Sequence, residues 1–101
     1  MRLTAQQHAI IRSTVSDSFG ASAAVWLFGS RADDSKNGGD IDLLIETGQS
    51  DINALTRVEI SFLTQLQMKL GEQKIDVLLD YPSRKHRPPI FAIARNTGIL
   101  L

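Results

Sequence analysis

Two aspartates, Asp40 and Asp42, flank a single isoleucine in the run GSRADDSKNGGDIDLLIE. Alternate side chains of a strand share a face, so both carboxylates point one way, roughly 6–7 Å apart along the backbone, with Ile41 and Leu43 on the other face. Such a pair repels itself. A bound divalent cation removes that cost and leaves coordination positions for water and phosphate oxygens. Upstream, Gly29 and Ser30 close the apolar run AAVWLF as a tight turn whose N–H groups and hydroxyl can meet a phosphate. One half of the segment suits a triphosphate and the other its counter-cation.

Asp76 is the third candidate ligand. It interrupts the apolar run KIDVLL, where an ionised side chain is costly unless exposed or paired with charge. If its strand lies beside that of Asp40 and Asp42, three carboxylates meet in one acidic pocket. A pocket of that kind can bind two divalent ions about 4 Å apart, one on the triphosphate and one on the attacking hydroxyl. A D-x-D alone is most often an exposed loop or edge feature. The strand context, the Gly-Ser turn and Asp76 together carry the reading.

The elements that would position these residues follow from pattern. Thr4 caps a first helix, with Gln7 completing a capping box and Leu3 placed as a hydrophobic staple; the helix runs to Ser18 or Phe19 and ends at Gly20. AAVWLF is then a covered strand, on which Trp26 and Phe28 share a face suited to packing beneath a helix. After the Gly29-Ser30 turn comes a polar stretch with a short helical turn, then a loop through Lys36, Asn37, Gly38 and Gly39. A second strand spans about Asp40 to Glu46. From Asn53 to Leu70, the positions Leu55, Val58, Phe62, Leu66 and Leu70 form an amphipathic stripe, widened by Ile52 and Leu63. Met68 near that stripe is packing or interface material. Gly71 ends the helix and KIDVLL gives the third strand. A short helix opening at Ile90 closes at Gly98, and the terminal ILL either covers the core or docks a partner. The order helix, strand, strand, helix, strand, helix predicts an α/β fold, a small mixed β-sheet with flanking helices.

With 101 residues, the chain fits one domain spanning 1–101 with a modest core, and a large enclosing cleft for a second substrate is not expected. Eleven basic residues balance eleven acidic ones, so no overall field attracts nucleic acid, which is not expected as a direct substrate. The lack of cysteine excludes a disulfide scaffold, a thiolate nucleophile and a zinc-thiolate cluster, and fits a reducing cytoplasm. Neither end reads as a targeting signal, and no apolar run approaches the roughly 20 residues of a membrane span. The expectation is a soluble, cytoplasmic protein.

Gly29-Ser30, the loop, Asp40-Ile41-Asp42 and Asp76 together resemble the minimal nucleotidyltransferase family, small relatives of DNA polymerase beta, over about Ala24 to Leu79. The resemblance implies a polymerase-beta-like core. It also implies that Gly29 and Ser30 touch the triphosphate of ATP, the nucleotide donor, that Asp40 and Asp42 bind magnesium, and that Asp76 completes the triad and helps activate an acceptor hydroxyl. Gly39 departs from the family pattern, in which serine often precedes the first metal-binding aspartate. Small members of this type are similar to antitoxins paired with a helical HEPN ribonuclease toxin, and some transfer AMP to a tyrosine of that partner. A helical toxin partner and a homodimer or hetero-oligomer are therefore expected.

Other residues are open to more than one reading. Arg31 follows the turn and can reach a phosphate oxygen or sit in solvent. Asp33 and Asp34, on a loop able to aim them away, are left outside the metal site. The basic run Ser83-Arg84-Lys85-His86-Arg87 serves as solvated loop charge, as a phosphate or partner contact, or as a nucleic-acid contact, though no aromatic interleaving supports base stacking. Arg2 and His8 have the spacing of an R-x4-6-H ribonuclease motif without its surroundings, and His8 reads as an ordinary polar-face residue. Three functions fit: AMP transfer to a protein hydroxyl, a binding module that masks its partner, and nucleotide transfer to a small molecule.

Overall fold

The computed structural model describes residues 1–35 and 39–101; Lys36, Asn37 and Gly38, expected in the loop, lie outside the described residues. The order is α1 (Ala5–Phe19), β1 (Ala24–Phe28), a 3₁₀ turn (Gly29–Ala32), β2 (Ile41–Glu46), α2 (Ile52–Leu70), β3 (Ile75–Asp80), α3 (Ile90–Thr97) and β4 (Ile99–Leu100). The four strands form one sheet in the order β3-β2-β1-β4. β1 runs antiparallel to β2 and β4, whereas β2 and β3 are parallel, as a strand–helix–strand crossover through α2 allows. The sheet is mixed and flanked by helices, the expected fold class.

α1 begins at the expected capping box: Gln7 N–H donates to Thr4 Oγ1 at 3.0 Å and Thr4 N–H to Gln7 Oε1 at 2.9 Å. Two orphan donors of the first turn are satisfied at once. α2 starts one residue earlier than the periodicity predicts, because Asp51 caps it by accepting from the N–H groups of Asn53 and Ala54. Ile52, expected to widen the buried stripe, is instead exposed on that first turn.

Strand alternation sorts the core into two clusters. Val25 and Leu27 of β1, Ile41, Leu43 and Ile45 of β2, and Ile75 and Leu79 of β3 pack with Ile11, Val15, Leu55, Phe62 and Leu66 of α1 and α2. Phe62 is fully buried and meets Phe19 edge-on with ring centroids 5.2 Å apart; burial of such a ring stabilises by roughly 1.5–3 kcal/mol. On the opposite face Trp26, Phe28, Leu44 and Leu78 pack against Phe91 and Ala94 of the short α3. Trp26 and Phe28 thus lie beneath a helix as predicted. Because α3 is short, it covers only part of this face.

The end of the chain adds a strand that periodicity did not predict. Gly98 leaves no room for a Cβ against the Ala94 carbonyl, so the chain turns out of α3 close to its own last turn. Ile99 then pairs with Leu27 and Leu100 with Trp26, and Leu101 packs on the larger core cluster. The terminal ILL segment therefore completes the sheet edge. Among the described residues, no helix is long and apolar enough to cross a membrane.

Candidate active site

The face of β2 opposite its buried Ile41, Leu43 and Ile45 carries Asp42. Its register partner on β1 is Phe28, the last residue before the 3₁₀ turn, and its partner on β3 is Asp76. Ile75, Val77 and Leu79 pack into the larger cluster, which leaves Asp76 exposed on the Asp42 face. The strand adjacency that the carboxylate reading required is present. Asp40 stands two residues before Asp42, and Lys74 Nζ lies 3.6 Å from its Oδ2.

The surroundings of Asp42 disfavour its charge. Its half-buried position, followed by the neighbouring charges of Asp76 and Asp40, pushes its carboxyl above the usual carboxylate range, and Lys74 partly opposes the shift. Gly29 explains how the carboxylate reaches so close to the turn: φ is +73°, and a Cβ there would overlap Asp42 Oδ2. Glycine is needed twice over, for backbone conformation and for space.

The turn is braced from the N-terminal side. Arg2 N–H donates to Arg31 O at 2.8 Å, and its guanidinium donates to Ser30 O at 2.8 Å. Arg31 directs Nε to Gly39 O at 3.2 Å and Nη1 to Arg2 O at 3.1 Å. Both of those donors thus point at backbone carbonyls, so Arg31 ties the turn to the N-terminal segment and to the approach of β2. Gly39, at φ +97°, leaves the space that Ser30 Oγ fills. A serine at this position, common in the resembling family, has no room for its Cβ here.

Asp33 and Asp34 are engaged by local partners. Asp33 Oδ1 accepts from Ser35 N–H at 2.9 Å and Ser35 Oγ–H at 2.6 Å, and Asp34 pairs with the N-terminal ammonium. Both still border a groove of about 680 Å³ whose floor includes Phe28, Gly29 and Asp42 and whose far wall is Ile90 and Ile93 of α3. A space of that size suits a small-molecule ligand.

Among the described residues, no three His, Cys, Asp or Glu side chains form a set that could hold a metal ion as they stand. The donor chemistry nonetheless fits magnesium, which typically takes one or two carboxylates and completes its shell with substrate phosphates and water. Asp40, Asp42 and Asp76 offer hard oxygens on one face, and burial together with repulsion from Asp76 and Asp40 disfavours the Asp42 charge, a cost a cation would relieve.

At the other end of the same face lies a cluster that sequence reasoning missed. Asp80, buried, accepts from Arg87 Nε at 2.8 Å and Arg95 Nη2 at 2.9 Å, and Arg95 also reaches Glu46. Burial alone would raise the Asp80 carboxyl, yet the hydrogen bonds from Arg95 and Arg87 and their charges hold it below the usual range. Arg84 stacks over Phe91, its guanidinium carbon 4.5 Å from the ring centroid. In the basic run, therefore, Arg84 links β3 to α3 and Arg87 ties the following loop to Asp80, whereas Lys85 and His86 are exposed. His8 also departs from expectation: it is half-buried, with Nε2 shielded and lacking a hydrogen-bond partner.

The chain belongs to a known family: the model of the nucleotidyltransferase domain, of the polymerase-beta-like superfamily, matches residues 9–95. That span contains the turn, all three carboxylates and α3 up to Arg95. No curated protein and no solved structure matched the chain.

Proposed function

We propose that this protein is a magnesium-dependent nucleotidyltransferase that transfers AMP from ATP to a tyrosine hydroxyl of a partner HEPN toxin, and so acts as an antitoxin. The observation that carries the chemistry is the register pairing of Asp42 with Asp76 beside the Gly29 turn. The family match supports nucleotidyl transfer. The protein acceptor rests on the resemblance to minimal antitoxins.

Asp40 and Asp42 would hold magnesium with Asp76 completing the set, and the ion would supply charge neutralisation at the phosphates. Gly29 and Ser30 would seat the triphosphate at the turn. The acceptor oxygen attacks the α-phosphorus, a new P–O bond forms, the bond to the bridging oxygen breaks, and pyrophosphate leaves with that electron pair. The hydroxyl proton would pass to Asp76, whose carboxylate is exposed. Incubation with magnesium, α-labelled ATP and the protein encoded beside it should label that partner on tyrosine. A well-folded complex that stays unlabelled would remove the acceptor assignment.

A second reading is favoured by exposed Ile90 and Ile93 on the groove wall. Apolar surface beside the carboxylates suits a module that neutralises its partner by covering it. An Asp40→Asn, Asp42→Asn double variant separates the two, since masking needs a surface and transfer needs the charges. Neutralisation that survives the double substitution supports masking.

A further inference from the structure

The position of Lys74 is fixed by the sheet. Ile41 pairs with Ile75 and Asp42 with Asp76; one step earlier, Ile41 N–H donates to Lys74 O at 3.0 Å, so the parallel register brings Lys74 beside Asp40. Lys74 immediately precedes β3, two residues before Asp76, and its ammonium lies 3.6 Å from Asp40 Oδ2. The result is a cluster of charges where β2 and β3 begin, Asp40 just before β2 and Asp42 on it, Lys74 just before β3 and Asp76 on it, three negative and one positive. Lys74 is largely exposed, with 72% of its side-chain surface open. A long flexible stem lets its ammonium move between partners.

We propose that Lys74 is an exchangeable cation of this site, pairing with Asp40 when the carboxylates carry no metal and moving to the triphosphate when the metal-bound nucleotide arrives. Asp40 cannot serve a metal and an ammonium with the same oxygen at full strength, so metal binding weakens the Lys74 pair. The displaced ammonium then stands beside the cluster at which a polyanion docks, where a charge-assisted contact is strong. Arg2 and Arg31, also at this end, direct donors to backbone carbonyls, Arg2 to Ser30 O and Arg31 to Gly39 O and Arg2 O. Lys74 is the basic side chain there whose described ion pair is with a carboxylate of the cluster itself.

This inference rests on the reading of Asp40, Asp42 and Asp76 as cation ligands, and the test separates the two. Titrations with manganese alone, and with a non-hydrolysable ATP analogue in saturating magnesium, compare the wild type, Lys74→Met and Lys74→Arg, each checked for folding by circular dichroism. Lys74→Met should bind manganese alone about two- to fivefold more tightly, the range expected for losing an exposed competing pair. It should bind the nucleotide analogue about tenfold more weakly, and Lys74→Arg should restore that affinity. Opposite shifts in the two titrations would not arise from a merely structural side chain. Equal metal affinity or equal nucleotide affinity in wild type and Lys74→Met overturns the assignment of Lys74. A wild type that binds neither manganese nor the magnesium-nucleotide overturns the site itself.

Discussion

Gly29 and Asp42 interlock: the space a side chain would occupy on Gly29 is filled by the Asp42 carboxylate. The turn residue and the carboxylate thus constrain each other across two antiparallel strands. Gly29→Ala should lower stability by at least about 1–2 kcal/mol from left-handed backbone strain alone, and should displace Asp42 as well. Urea unfolding measures the first effect and nucleotide binding the second; a fully stable variant with native nucleotide affinity would contradict the interlock.

Gly39 and Ser30 are related in the same way, which gives a counterintuitive expectation. Gly39→Ser installs the serine common in the resembling family, yet its Cβ would overlap Ser30 Oγ at a φ of +97°. The variant should lose stability by roughly 1–2 kcal/mol and gain no transfer activity. A more active, equally stable variant would show that the turn rearranges freely.

Asp42→Asn should act in opposite directions with and without ligand. The folded state holds a proton on Asp42 more tightly than the unfolded chain does, since its carboxyl lies above the ordinary value of 3.8. The stability this group contributes is therefore complete below that value and lost as pH rises through the folded pKa. At neutral pH without metal, Asn should raise the melting temperature. With magnesium-ATP at a hundredfold its Kd, the wild type gains about 2.7 kcal/mol and the variant should gain less. Equal ligand-induced shifts in thermal unfolding would argue against Asp42 as a ligand.

Asp80 carries the reverse sign. Its carboxyl is held below 3.8 by Arg95 and Arg87 despite burial, so its contribution is present above that value and lost as pH falls through the lower folded pKa. Asp80→Asn should cost about 3 kcal/mol at neutral pH, the low end for breaking a buried pair, since both arginines keep contact with water. Acid titration of stability should show wild type and variant converging below the ordinary carboxylate range. A gap that persists unchanged below that range as well would mean that the loss is packing alone.

The contrast between Asp76 and Asp80 shows what the sequence carried. Both are strand aspartates of the same parity, four residues apart, and both emerge on the α3 side of β3. Asp76 was legible because it interrupts an apolar run, where only charge or exposure explains an aspartate. Asp80 ends its strand before Tyr81 and Pro82, where an aspartate reads as turn chemistry, and its partners Arg87 and Arg95 become visible only when α3 folds back. The same limit hid β4: two residues have no period, and only the position of β1 makes Ile99 and Leu100 a strand. Helix α2 was legible from its stripe, but Ile52 was misassigned because Asp51 captures the first-turn N–H groups and points its neighbour outward.

The central claim is that Asp40 and Asp42, with Asp76 across the strand boundary, hold a metal on a triphosphate seated at the Gly29 turn. Crystals grown with manganese and a non-hydrolysable ATP analogue test it directly. The account predicts an anomalous peak within about 2.0–2.3 Å of carboxylate oxygens of Asp40 and Asp42, with phosphate oxygens beside Gly29 and Ser30. A bound triphosphate whose metal lies away from both aspartates would contradict it.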